Sequence, residues 1–224
     1  MKRLWGVLVM GGVILSWSVI AGGTDTASPA YHAAVQVAKA VDVVFRSSRT
    51  VYATEVVSKL KNDGTGSDFD YATKKGFAPL PAQFARDLAY HLAIVQKKSD
   101  DQQFTIVMRS RWNLNPNHEL QDEFEKAGWQ FLAHQQEDAL KAGKSLQELT
   151  WKPFTQVDMS NGKKVLRYFS ADPAGALSCV KCHNEWEKRP DIQQRRKAQG
   201  IEVGKVFRVH ELMAALSITV PLNE

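Results

Sequence analysis

The chain has 224 residues, of which 44% are hydrophobic and 24% charged, with a formal net charge of +5. That balance excludes a globally disordered polypeptide and provides enough apolar material for one sizeable domain. The positive excess is small and spread out, with no long Lys/Arg run and no basic–aromatic stripe, so nucleic acid is not an expected partner.

In chain order, residues 1–23, "MKRLWGVLVMGGVILSWSVIAGG", set Lys2 and Arg3 before an apolar run from Leu4 to Ile20, closed by Ala21, Gly22 and Gly23. A basic start, an apolar middle and a small-residue end describe a secretory signal peptide, which predicts export to the periplasm and cleavage after Ala21 or Gly23. An uncleaved inner-membrane anchor is the alternative, because the run is near the lower limit for spanning a bilayer. Residues 24–224 read as a single domain.

Ser28 suits an N-cap and Pro29 a first helical position. The helix they open keeps an apolar stripe through Val37, Val41, Val44, Phe45, Val51, Tyr52, Val56 and Leu60, and stops at Asn62, Asp63 and Gly64. Some thirty residues at 1.5 Å each make it roughly 45 Å long, suited to a membrane-proximal stalk or a homodimer contact. A loop follows. A second helix begins at Pro81 with Phe84, Leu88, His91, Leu92 and Val95 on one face, and Phe104, Ile106 and Met108 alternate inward on a strand. Pro116 and Asn117 are expected to start a third helix running to about Leu140. A hairpin turns at Asn161-Gly162. "RPDIQQRRKAQG" is polar and partly helical, and "ALSITVPL" is a closing strand. Helices towards the N-terminus and a small, mostly antiparallel sheet define an α+β fold.

Both cysteines of the chain lie in "LSCVKCHNEW", which the sequence places in a loop. A disulfide between Cys179 and Cys182 closes too small a loop to constrain the unfolded chain much. A thioredoxin-like site leaves His183 without a purpose, and structural zinc needs about four ligands. C-x-x-C-H is the signature of covalent haem attachment: two thiols a few ångströms apart meet the two vinyl groups on one macrocycle edge, and the next histidine offers its nitrogen to the iron. One haem c is therefore the expected cofactor, held by Cys179 and Cys182 with His183 as proximal ligand.

"PLPAQFARDLA", "VMRSRWNLNPNHELQDEFE", "YFSADPAGALSCVKCHNE" and "ALSITVPL" together resemble a bacterial c-type haem family with a PAS-like fold, found as stand-alone exported proteins and as sensory domains of histidine kinases. The resemblance covers about residues 30–222. It implies a five-stranded antiparallel PAS-like sheet with a long N-terminal helix and flanking helices, attachment cysteines at Cys179 and Cys182, and a proximal ligand at His183. Some members carry a further cysteine on the first helix for the sixth iron position; "FRSSRTVYATEV" has none here, so no sixth ligand carries over.

Candidates for that position are His91, from its place on an apolar helical stripe, and Met108, from its inward place on a strand; each is otherwise a core residue. With no protein ligand there, Arg49 and Tyr52 are the candidates to line an open distal pocket. These features predict a periplasmic monohaem protein acting in redox or diatomic-gas sensing through a redox partner or membrane receptor. An electron-transfer cytochrome is the alternative. A small haem peroxidase is a more distant one, since no distal acid–base pair is apparent, and no enzymatic activity is expected.

Overall fold

A computed structural model describes residues 26, 28–98 and 104–223; the basic–apolar segment 1–23 lies outside them. The first helix, α1, spans Pro29–Val51. Ser28 caps it, its side chain accepting from the Tyr31 N–H at 3.1 Å, and Pro29 occupies the first turn, where its missing donor costs nothing. The helix does not continue uniformly. Tyr52–Val57 form a π-helical turn before α2 (Ser58–Asn62) resumes α geometry.

The predicted loop contains two short strands, β1 (Gly66–Asp68) and β2 (Phe77–Pro79), paired in parallel. After α3 (Pro81–Lys98) come β3 (Thr105–Arg109), α4 (Glu123–Lys141), β4 (Phe154–Ser160), β5 (Lys163–Pro173), α5 (Leu177–Trp186), α6 (Pro190–Ala198) and β6 (Leu212–Pro221). Pro116–His118 make only a 3₁₀ turn; the third long helix starts later, where the Asp122 side chain accepts from the Glu125 N–H. Asp122 followed at the third position by Glu125 was the stronger start signal, and Asn115-Pro116 was a turn.

The main sheet has four strands in the order β3-β6-β5-β4, all antiparallel neighbours. The fifth strand implied by the family resemblance is not part of it, and the β1–β2 pair stands apart. The hairpin is as expected: Asn161 and Gly162 both adopt positive φ (50° and 75°), which the tight turn between β4 and β5 requires. Alternation along β5 and β6 divides the core. Leu166, Tyr168, Leu216, Ile218 and Val220 face α1 and α3, whereas Phe169, Ala171 and Ala215 face α4.

The α4 layer approaches closely because Gly128 has no side chain. A Cβ there would lie 2.7 Å from Cδ1 of the fully buried Phe169. Gly128→Ala is therefore expected to destabilise the fold by about 1–3 kcal/mol through overpacking, despite alanine's better helix propensity. Chemical denaturation against wild type measures it.

Candidate functional site

The segment read as a loop is helical. On α5, Cys179, Cys182 and His183 stand at positions i, i+3 and i+4, which share one face of a helix. Val180 is buried with Ala174, Phe207 and Met213, and Cys179 packs against the same cluster, seating α5 on the body of the domain. Both cysteines are free thiols, each partly exposed. Cys182 opens onto a cavity of about 390 Å³ between α2 and α5, lined by Lys61, Leu177, Ser178, Lys181 and Glu185.

His183 sits deeper. Its Nδ1 is shut off from solvent and has no hydrogen-bond partner among the described residues. The ring meets Phe207 edge-on, with centroids 5.7 Å apart at 81°. Burial, helped by the cations Arg196 and Arg49, lowers its pKa to about 4, so the imidazole is neutral near pH 7. A neutral imidazole keeps one ring nitrogen with a free lone pair, which is what an axial metal ligand requires. Burial and the neighbouring Cys179 also raise the pKa of the Cys182 thiol. That is opposite to the depressed pKa a reactive redox dithiol needs. Among the described residues no group of three or more His, Cys, Asp and Glu side chains is placed to hold a metal ion, so zinc finds no ligand set. Two partly exposed thiols, one of them lining a cavity, and a neutral imidazole on the same helical face do fit a covalently held haem.

The residues that fix this face were not apparent in the sequence. Asn184 clamps the backbone of residue 207: its amide donates to the Phe207 carbonyl at 3.2 Å and its oxygen accepts from the Phe207 N–H at 2.8 Å. Phe207 packs edge-on against Trp112, and the Arg196 guanidinium lies over the Trp112 ring, 5.7 Å from its centroid. Arg196 is 0% exposed and Glu187, its ion-pair partner at 2.6 Å, 1% exposed. Arg196 also donates to the Asn113 carbonyl at 3.1 Å, and Arg195 to that of Leu114 at 2.7 Å. The basic run after the motif thus holds α5, α6 and the "NPN" loop together.

The other sequence candidates separate. Arg49 pairs with Asp172, a buried carboxylate at a bulge in β5 whose Oδ2 has no partner among the described residues and whose pKa is raised by burial. The Arg49 charge is also among the causes that lower the His183 pKa, after burial and Arg196. Beside the Arg49–Asp172 pair, buried Asp42 accepts from Arg46 (2.9 and 2.8 Å) and from Ser170 (2.9 Å). Tyr52 turns elsewhere: its hydroxyl donates to the Pro79 carbonyl at 2.6 Å and its ring stacks on Phe84 at 4.3 Å.

His91 is exposed on α3, edge-on to Tyr90, and Val95 is exposed with it. The inner face of α3 is instead Ala85, Leu88, Ala89 and Leu92. Both sets have helical spacing, and the packing surface of the sheet selects the second. Met108 does face inward, but into the core between sheet and α1/α3. Neither is brought to the Cys–His face. Arg109 is held by Glu125 (3.0 Å) and the Asn117 carbonyl (2.9 Å).

The Tll0287-like family profile matches residues 26–221. No curated protein and no solved structure matches the chain. Among the described residues no helix is long and apolar enough to cross a membrane.

Arg196→Ala leaves Glu187 buried without its partner and is expected to cost about 3–5 kcal/mol. A Glu187→Leu/Arg196→Met double variant, which leaves no lone charge, is expected to lose less; denaturant titration of both compares them. In the cofactor-free chain His183 binds a proton near pH 6.5 when unfolded but only near pH 4 when folded. Stability should therefore fall as pH drops from about 6.5 to 4, and His183→Phe should flatten that slope in pH-dependent denaturation.

Proposed function

The chain belongs to the Tll0287-like family of c-type haem sensory domains, and from that premise we propose that it is an exported monohaem protein whose haem c reports redox state or a diatomic gas. The observation that carries the reading is the single face of α5 on which two free thiols and one neutral, unpartnered imidazole stand together. The leader-like residues 1–23 support export, because thioether attachment in bacteria takes place outside the cytoplasm.

When bound, haem would supply an iron that changes charge and takes up small ligands. The chain's own residues do the rest. Cys179 and Cys182 would hold the group, each thiol supplying the sulfur and the hydrogen for addition across one vinyl double bond, with no net oxidation. His183 contributes a nitrogen that needs no deprotonation, since its environment already keeps it neutral. Phe207, locked by Asn184, limits rotation of the His183 ring.

Arg49 links the site to α1. Its charge is felt at His183, and its ion pair with Asp172 ties the C-terminal end of α1 to the last residues of β5. Were the charge at the bound group to change, the Arg49–Asp172 pair would feel it, and with it the packing of α1 on the sheet. α1 is then the output element, read by a redox partner or membrane receptor.

In a host equipped for cytochrome maturation, the wild-type chain is expected to give a haem-stained band on a denaturing gel, and Cys179→Ala/Cys182→Ala to lose it completely. His183→Ala should keep thioether-bound haem but shift the Soret band. Adding CO or NO to the reduced protein then separates two roles: rapid binding supports gas sensing, and inert six-coordinate spectra support electron transfer. An unstained wild-type band, with the mass of the bare polypeptide, overturns the proposal.

A further inference from the structure

The sequence stripe expected along the first helix divides into two faces. One is buried against the sheet and carries Ala34, Ala38, Asp42 and Phe45. The other consists of Ala33, Val37, Ala40, Val44, Ser47 and Val51, at alternating spacings of four and three. Val37, Val44 and Val51 recur every seventh residue, and small Ala33, Ala40 and Ser47 fall between them. Val44 is 63% exposed and Val51 57%, with Val43 beside them at 56%. Val37 is half-buried and packs against the domain's own core, so the uncovered part of this face is Ala33, Ala40, Val44, Ser47 and Val51.

We propose that this face of α1 is a homodimer interface, packed against the same stripe of a second copy in a parallel, two-stranded arrangement. Three observations select that occupant. The repeat is 3.5 residues, which keeps a seam in register only against another helix that supercoils with it. β-branched valine at one position of the heptad favours two strands, and the small Ala33, Ala40 and Ser47 at the other leave room for a close approach. In a parallel pair valine layers meet valine layers and small layers meet small.

The third observation is charge. A two-fold interface sets each residue near its own copy, so any charged residue in the seam would face its like. The six seam residues carry none, nor do the flanking Gln36, Val43 and Thr50. Asp42, Arg46 and Arg49 are drawn to the domain's own side by ion pairs. The seam stops at Val51, because the π-helical turn that begins at Tyr52 breaks the 3.5 register. The inference does not require the haem reading. It adds that two sites, each with an Arg49 on α1, share one helical contact.

The test uses the exported, haem-loaded protein with residues 1–23 removed. Sedimentation equilibrium is expected to show a dimer, and Val44→Glu/Val51→Glu to weaken it by at least about tenfold by burying like charges against each other. Val206→Glu, at a 69%-exposed valine away from α1, should leave it unchanged. Circular dichroism and the Soret band report that each variant is folded and loaded. As an independent readout, Ser47→Cys should oxidise to a disulfide-linked dimer and Lys39→Cys, off the seam, should not. A wild-type chain that stays monomeric at about 100 µM overturns the proposal. So does a dimer indifferent to the Val44/Val51 change, or seam protection that appears only when residues 1–23 or another protein are present.

Discussion

The structure turns on the burial of one guanidinium. Arg196 lies wholly inside the domain, paired with an equally buried Glu187, and reaches the Asn113 carbonyl. Glu187 follows α5 directly and closes its last turn, Arg196 belongs to α6, and Asn113 lies in the loop after β3. One side chain therefore joins three segments that share little other secondary structure. Through Trp112 and Phe207 its influence passes to His183 by ring contacts. A buried ion pair of this kind contributes little net stability over apolar residues, but it is intolerant of losing either half. Its value here is positional: it sets where the face of α5 points, and its charge helps keep the imidazole unprotonated.

A second polar seam runs between α1 and β5. Asp42 with Arg46 and Ser170, and Arg49 with Asp172, place two carboxylates and two guanidiniums where a purely structural interface would use aliphatic side chains. The Asp172 pair is asymmetric, one oxygen engaged and the other without a partner among the described residues. Such an arrangement is less stable than an apolar seam and more responsive to a nearby charge. It lies on the helix that also exposes a neutral heptad face, and the charge-sensitive side and the contact side of α1 are about half a turn apart.

The α+β fold was legible from local signals. Ser28-Pro29 opened the first helix, alternation marked β3 and β6, and Asn161-Gly162 marked the hairpin, because each of these is decided within a few residues. Cys179, Cys182 and His183 were legible for the same reason. Errors arose where a choice depended on distant packing. The α3 stripe admitted two phases, and the sheet took the one that leaves His91 outside. Asn115-Pro116 marked a turn rather than a helix start, with Asp122 doing the capping six residues after the proline. α5 was missed because Pro173 and Gly175 just ahead of it read as loop and its few apolar residues form no clear stripe; Glu187, at its C-terminal end, is tied to Arg196. A buried arginine within "QQRRK" has no local signature, since Arg195 beside it is nearly identical in sequence context.

The wide turn at Tyr52–Val57 has a geometric consequence for the wall of the cavity. A π turn holds one residue more than the α-helix it interrupts. Its six residues cover about the same rotation as five α-helical residues would. The helix beyond therefore keeps its phase, and Lys61 keeps its place beside Cys182, because the surplus residue is absorbed in the widened turn rather than passed along the axis.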